Sequence, residues 1–143
     1  ANRFVGGFVG TPPMNQIPGK LEYGGGGSRF SAGFGTLDLP ASNTPASLSQ
    51  GLVDVVIGLR PQQIAIANGS DTPREGQVLR RCSIRHVEPL GECVNVHATT
   101  SDGTFWVARA PAEFRPGPEG VDLQLDLNAV HLFSADADGR RLN

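Results

Sequence analysis

At 143 residues the chain suits one domain, large enough to bury most of its apolar surface without staples. Its 19 glycines and 11 prolines, set against 38% hydrophobic residues, favour short strands and many turns over long helices. A formal net charge of -2 gives no global attraction to nucleic acid or anionic lipid, and no apolar stretch approaches the ~20 residues of a membrane span.

In chain order, Arg3 to Gly10 places Phe4, Val5, Phe8 and Val9 at helical spacing on one face. Gly10 and the pair Pro12-Pro13 then stop the helix. Gly6 and Gly7 each weaken it by roughly 1 kcal/mol relative to Ala, so it needs a surface to lie on. Gly24 to Gly27 with Ser28 reads as a turn between strands over Gly19 to Tyr23 and Arg29 to Leu39. Ser42 to Gln50, which holds Pro45, reads as a surface loop. Leu52 to Leu59 is dense in Val and Ile and reads as a buried strand. It ends at Arg60-Pro61, where the proline keeps Arg60 extended. A short turn through Gln62 to Ile64 and a strand near Ile64 to Ala67 follow.

After a turn cluster at Asn68 to Gly76, Gln77 to Glu88 and Glu92 to Thr99 alternate as a hairpin across Pro89-Leu90-Gly91. Val94, Val96 and Ala98 face one way, and Cys93, Asn95 and His97 the other. Asp102-Gly103 makes a tight turn into a strand over Thr104 to Ala108. Arg115 to Gly120 is a Pro/Gly loop, and Val121 to Leu127 alternates as a strand. The last strand, near Val130 to Phe133, runs into a turn at Asp136 to Gly139. About nine or ten short strands and almost no helix make an all-β barrel pattern.

No catalytic, cofactor-binding or metal-binding residue emerges from motif tests. A phosphate loop needs Gly-x-x-x-x-Gly-Lys-Ser/Thr, and Gly19-Lys20 is followed by Leu21, with Met14 in place of the first Gly. Asp136-Ala137-Asp138-Gly139 lacks the Glu that a calcium loop carries six positions after its Gly. Cys82 with His86 and Cys93 with His97 would offer soft ligands from two paired strands. With the turn centred between Leu90 and Gly91, however, Glu88 pairs with Cys93 and Cys82 lies opposite Thr99. That register separates the sulfurs beyond one tetrahedral site or a disulfide, so free thiols are expected. Arg80, Arg81 and Arg85 form the only basic cluster, and Phe105-Trp106 follows in sequence. An OB-type barrel uses such groups on single strands. The net negative charge and the single Trp and single Tyr make a solvated strand face the expected reading, without nucleic acid. His131 is expected on a strand face. Two cysteines and no signal-like run lead us to expect a reducing, cytoplasmic setting.

Four segments carry a resemblance by their order and spacing. They are Asn2-Arg3-Phe4-Val5-Gly6-Gly7-Phe8-Val9-Gly10-Thr11-Pro12-Pro13-Met14-Asn15, Gly58-Leu59-Arg60-Pro61-Gln62, Val87-Glu88-Pro89-Leu90-Gly91-Glu92, and His131-Leu132-Phe133 with Asp138-Gly139-Arg140-Arg141-Leu142. Over about Asn2 to Leu142 the chain resembles the C-terminal regulatory region, TOBE or OB-like, of the ATP-binding subunit of maltose-type sugar ABC importers, without its ATPase domain. Gln62 stands where that family has Glu, and Ser134 where it usually has Asp. Gly91 can take positive φ at the hairpin turn.

The resemblance implies an OB-fold-like or MOP-like barrel with a second, inserted β unit and a short N-terminal helix. Residues 1–12 would be the remnant of the helix joining the ATPase domain. Residues 13–143 would be the regulatory domain, with about 13–58 plus 121–143 as the barrel and about 59–120 as the insert. The implied role is a non-catalytic regulatory and dimerisation domain, with ATP and Mg confined to the missing ATPase domain. Implied partners are a second copy, the transmembrane permease subunits and a cytoplasmic signalling protein, at the cytoplasmic face of the inner membrane. Two other functions stay open at this point: a small-oxyanion-binding module, and an OB-type single-stranded nucleic-acid binder.

Overall fold

The computed structural model describes residues 14–24, 27–40, 51–67, 73–135, 139 and 142. The expected helix at Arg3 to Gly10, the loop at Ser42 to Gln50 and most of the turn at Asp136 to Gly139 lie outside these residues. The described strands are, in chain order, β1 (Asn15–Gly24), β2 (Gly27–Ala32), β3 (Gly35–Leu39), β4 (Gly51–Leu59), β5 (Ile64–Ile66), β6 (Gln77–Pro89), β7 (Cys93–Thr99), β8 (Phe105–Pro111), β9 (Val121–Asp126) and β10 (His131–Ser134). They form two five-stranded sheets, ordered β10-β4-β1-β2-β3 and β5-β9-β6-β7-β8. Every ladder is antiparallel. No described helix is long and apolar enough to cross a membrane.

Period-2 patterning places the first sheet. Ile17 and Leu21 of β1, Phe30 of β2 and Leu37 and Leu39 of β3 point inward, while Gln16, Lys20 and Arg29 point to water. β4 sits between β1 and β10, and its Val55 to Leu59 run is buried on both faces. Val55, Ile57 and Leu59 join the main core, and Val56 packs with Met14 and Phe133 on the other side. A continuous Val/Ile run is what burial on two faces requires. One hydrophobic cluster then spans both sheets, joining Leu21, Phe30 and Ile57 to Trp106, Leu123 and Leu125.

Three expectations need correction. Arg29 to Leu39 is two strands, because Gly33-Phe34 turns the chain and pairs Phe30 with Leu37. The turn is set by distant contacts: a Cβ on Gly33 would lie 2.6 Å from the Asp102 carboxylate, and the Phe34 ring stands edge-on to Trp106 with centroids 5.2 Å apart. The β6–β7 register is also shifted. Glu88 faces Asn95 and His86 faces His97, with a bulge at Arg85 between Ile84 and His86. The reversal takes in Glu92 as well as Leu90 and Gly91, and Gly91 has φ +96°. Finally, Val121 to Asp126 pairs with β5 and β6 in the second sheet, so the chain rejoins the first sheet only at His131. Alternation fixes which face a residue takes; it does not name the neighbouring strand.

β5 and β8 are the edges of the second sheet, and they lie side by side without a ladder between them among the described residues. The sheet thus curls almost shut, leaving a seam.

Candidate functional site

Asn15 is where the two sheets are tied. Its Nδ2 donates to the Leu59 carbonyl at 3.0 Å and to the Val107 carbonyl at 2.9 Å, and its Oδ1 accepts the Val107 N–H at 2.7 Å. An amide side chain copies a backbone partner, so Asn15 closes one residue of the β8 edge as a strand would. The segment after β4 is held by Gln63, whose Oε1 accepts the Arg60 N–H at 3.1 Å while its own N–H donates to the Arg60 carbonyl at 2.9 Å. Pro61–Gln63 is therefore a 3-10 turn closed by Gln63. Gln62, the residue that departs from the family pattern, is exposed.

The face of β7 away from the core carries the densest polar group. Cross-strand pairing puts Glu88 and Arg109 on either side of Asn95, and His86 and Val107 on either side of His97. The His86 and His97 rings meet edge to face with centroids 4.5 Å apart. His97 Nε2 lies 3.2 Å from Glu88 Oε1, and Asn95 Nδ2 donates to the same oxygen at 3.4 Å. These two bonds, His97's first, hold the Glu88 carboxyl below its ordinary value of 4.5. Asn95 Oδ1 and Arg109 Nε are buried without hydrogen-bond partners. The hydrogen bonds in this strip join Glu88 to His97 and Asn95 and involve no hydroxyl or thiol. Among the described residues no three His, Cys, Asp or Glu side chains are grouped to hold a metal.

The cysteines and histidines weighed from sequence are divided between faces. Cys82 points into the main core, and burial first and Asp122 second push its thiol up to about 11. Cys93 is half-buried on the opposite face of β7, and both thiols are free. Of the basic cluster, Arg80 donates to the Leu79 carbonyl at 2.8 Å and to the Thr36 carbonyl, and Arg81 lies 3.6 Å from Asp122. Trp106 is fully buried, its Nε1 on Thr100 Oγ1 at 3.4 Å, while Phe105 is 69% exposed. Trp106, being fully buried, offers no face to a base. His131 lies on β10 in partial contact with Phe133, centroids 6.4 Å apart.

Sequence reasoning missed Asn15, Gln63 and the pairing of His86 with His97. The first two act through bonds to backbone far off or just beyond the recognised motif. The third depends on where the reversal is centred, since Glu88–Asn95 and His86–His97 keep one register from the turn.

Two curled antiparallel sheets around one core make this an all-β, OB/MOP-like barrel. A solved structure of the cytoplasmic molybdate-binding protein ModG, with molybdate bound, superposes with a TM-score of 0.64 at 16% identity, covering 82% of this chain and 94% of that one. The sequence pattern of the TOBE domain matches residues 57–133, and the chain belongs to the TOBE domain family. It is 35% identical over 138 residues to the sulfoquinovosyl glycerol transport ATP-binding protein SmoE of Agrobacterium fabrum, covering 94% of this chain and 35% of SmoE. It is 33% identical over 144 residues to the sn-glycerol-3-phosphate import ATP-binding protein UgpC of Cereibacter sphaeroides, covering 99% and 36%. It is 31% identical over 136 residues to the trehalose/maltose import ATP-binding protein MalK of Thermococcus litoralis, covering 93% and 36%. The chain spans about a third of the length of these curated relatives.

Proposed function

We propose that this chain is the non-catalytic regulatory and dimerisation domain of the ATP-binding subunit of a sugar ABC importer. The observation that carries the reading is the match of 93% to 99% of this chain to about a third of each of three such import or transport subunits. Hydrolysis of ATP needs a phosphate loop, which these 143 residues do not spell, so the chemistry falls to another part of the subunit. In this reading the domain keeps two subunits in contact while their nucleotide sites open and close. A standing contact of that kind raises the effective concentration at which the remaining surfaces re-engage. Residues 1–12 lead from the ATPase domain, the subunit works with transmembrane permease partners at the cytoplasmic face of the membrane, and a signalling protein docks on the domain.

The test is the molar mass of the chain in solution, by light scattering across a concentration series. Twice the chain mass of 15.0 kDa supports subunit clamping, and a strict monomer at every concentration removes it. Purified chain is expected to show no ATP hydrolysis. The likeness to ModG is one of fold and brings no ligand with it, so molybdate belongs in the experiment as a control.

A further inference from the structure

The seam between β5 and β8 opens into a groove of about 370 Å³, walled by Ile66, Ala110, Pro111 and Phe114 and flanked by Arg109 and Glu113. That volume falls at the small-molecule end of ligand sites, which span roughly 300–1,000 Å³ and combine apolar walls with few polar groups. The two charges have opposite sign and do not answer each other, because neither makes an ion pair among the described residues. The guanidinium of Arg109 is partly withdrawn from water, and its Nε is buried with no acceptor. A cation so placed is stabilised by an anion that reaches it.

The backbone around Arg109 excludes an added strand. On one side Asn15 already occupies the N–H and C=O of Val107. On the other, Pro111 has no N–H, and its carbonyl accepts from the Phe114 N–H at 3.0 Å. No run of free edge remains for a peptide to pair with. A small molecule fits where a strand does not. Glu113 on the rim disfavours a dianion such as molybdate or sulfate, and it offers a counter-charge to an ammonium group.

We propose that this groove binds a small zwitterion with an apolar body, an α-amino acid of the leucine class. Its carboxylate meets Arg109, its ammonium meets Glu113, and its hydrocarbon lies on Ile66, Ala110 and Phe114. The site lies beyond the subunit-clamping role and stands or falls independently of oligomeric state.

The probes are L-leucine, isovalerate (which lacks the ammonium), isoamylamine (which lacks the carboxylate) and molybdate, each titrated into isotopically labelled full chain. Leucine is expected to shift the backbone signals of Ile66, Ala110 and Phe114 and the Arg109 Nε–H signal in a saturable way. Arg109→Gln and Glu113→Gln are each expected to weaken that binding roughly tenfold, the value of one charge-assisted hydrogen bond of about 1.5 kcal/mol. Both variants should keep the wild-type spectrum elsewhere, which separates lost binding from lost folding. Isovalerate or isoamylamine binding as tightly as leucine overturns the zwitterion. Molybdate producing these shifts in place of leucine overturns it too, as does the absence of any saturable shift with leucine.

Discussion

Asn15 and Val107, 92 positions apart, exchange two hydrogen bonds: the Val107 N–H donates to Asn15 Oδ1, and Asn15 Nδ2 donates to the Val107 carbonyl. The first sheet thereby supplies the partner that the edge of the second lacks. Asn15→Ala would leave both Val107 groups and the Leu59 carbonyl without that donor and acceptor, at an expected cost of about 2–3 kcal/mol. Urea unfolding should show an earlier midpoint with an unchanged slope. A loss under about 0.5 kcal/mol would show that water replaces the side chain.

Glu88 shapes the acid limb of stability. Its folded value is lowered chiefly by the His97 hydrogen bond and then by Asn95, so its contribution is present above the ordinary value of 4.5 and fades as pH falls through the lower folded one. The Glu88 side chain is 48% exposed, so solvent screens the pair and the effect is small. Unfolding followed against pH should give Glu88→Gln a shallower decline below 4.5 than the wild type. Parallel curves would rule the His97–Glu88 contact out as a contributor.

Gly19 is needed for close approach. A Cβ there would overlap the Phe30 ring and the Ser31 carbonyl oxygen, and the second obstacle is backbone. Gly19→Ala should destabilise by about 1–3 kcal/mol through overpacking. The single tryptophan is a built-in reporter, since Trp106 is fully buried and its emission should shift to the red as the chain unfolds. An unchanged midpoint for Gly19→Ala would mean that β1 and β2 can part locally at no cost.

The two thiols should react at different rates. Cys82 is in the core with its thiol pushed up to about 11, whereas Cys93 is half-buried and nearer water. Ellman's reagent is expected to titrate Cys93 in the native chain and Cys82 only on unfolding. Cys93→Ser should abolish the native-state reaction, and Cys82→Ser should leave it intact; the reverse pattern would refute the placement of these side chains.

Strand identity was legible both in the continuous Val/Ile run and in the alternating one: Leu52 to Leu59 and Gln77 to Glu88 were expected within a residue of β4 and β6. The turn at Gly91 was legible too, because positive φ has a residue type. Pairing was less so. Gly33-Phe34 looks like strand because Phe34 is apolar, yet it turns to meet Trp106. The Glu88 partner was misjudged because the reversal is longer than expected and takes in Glu92; the Arg85 bulge changes the pairing only beyond His86. The sheet that receives Val121 to Asp126 depends on which edges are open once the other strands are down. The Arg109–Glu113 groove was invisible for the same reason, since the edges that frame it come from Ile66 and Pro111, far apart in sequence.

The late return of the chain to the first sheet has a kinetic consequence. β4 is flanked by β1 from the early part of the chain and by β10 at His131–Ser134. One side of β4 therefore has no ladder until some seventy further residues have been synthesised, and closing so long a loop is slow because its entropy is spent before the contact forms. During that interval Val55 to Leu59 is an open, apolar edge of the kind that pairs with other chains. Premature termination before β10 would thus yield an aggregating species, not merely a shorter one.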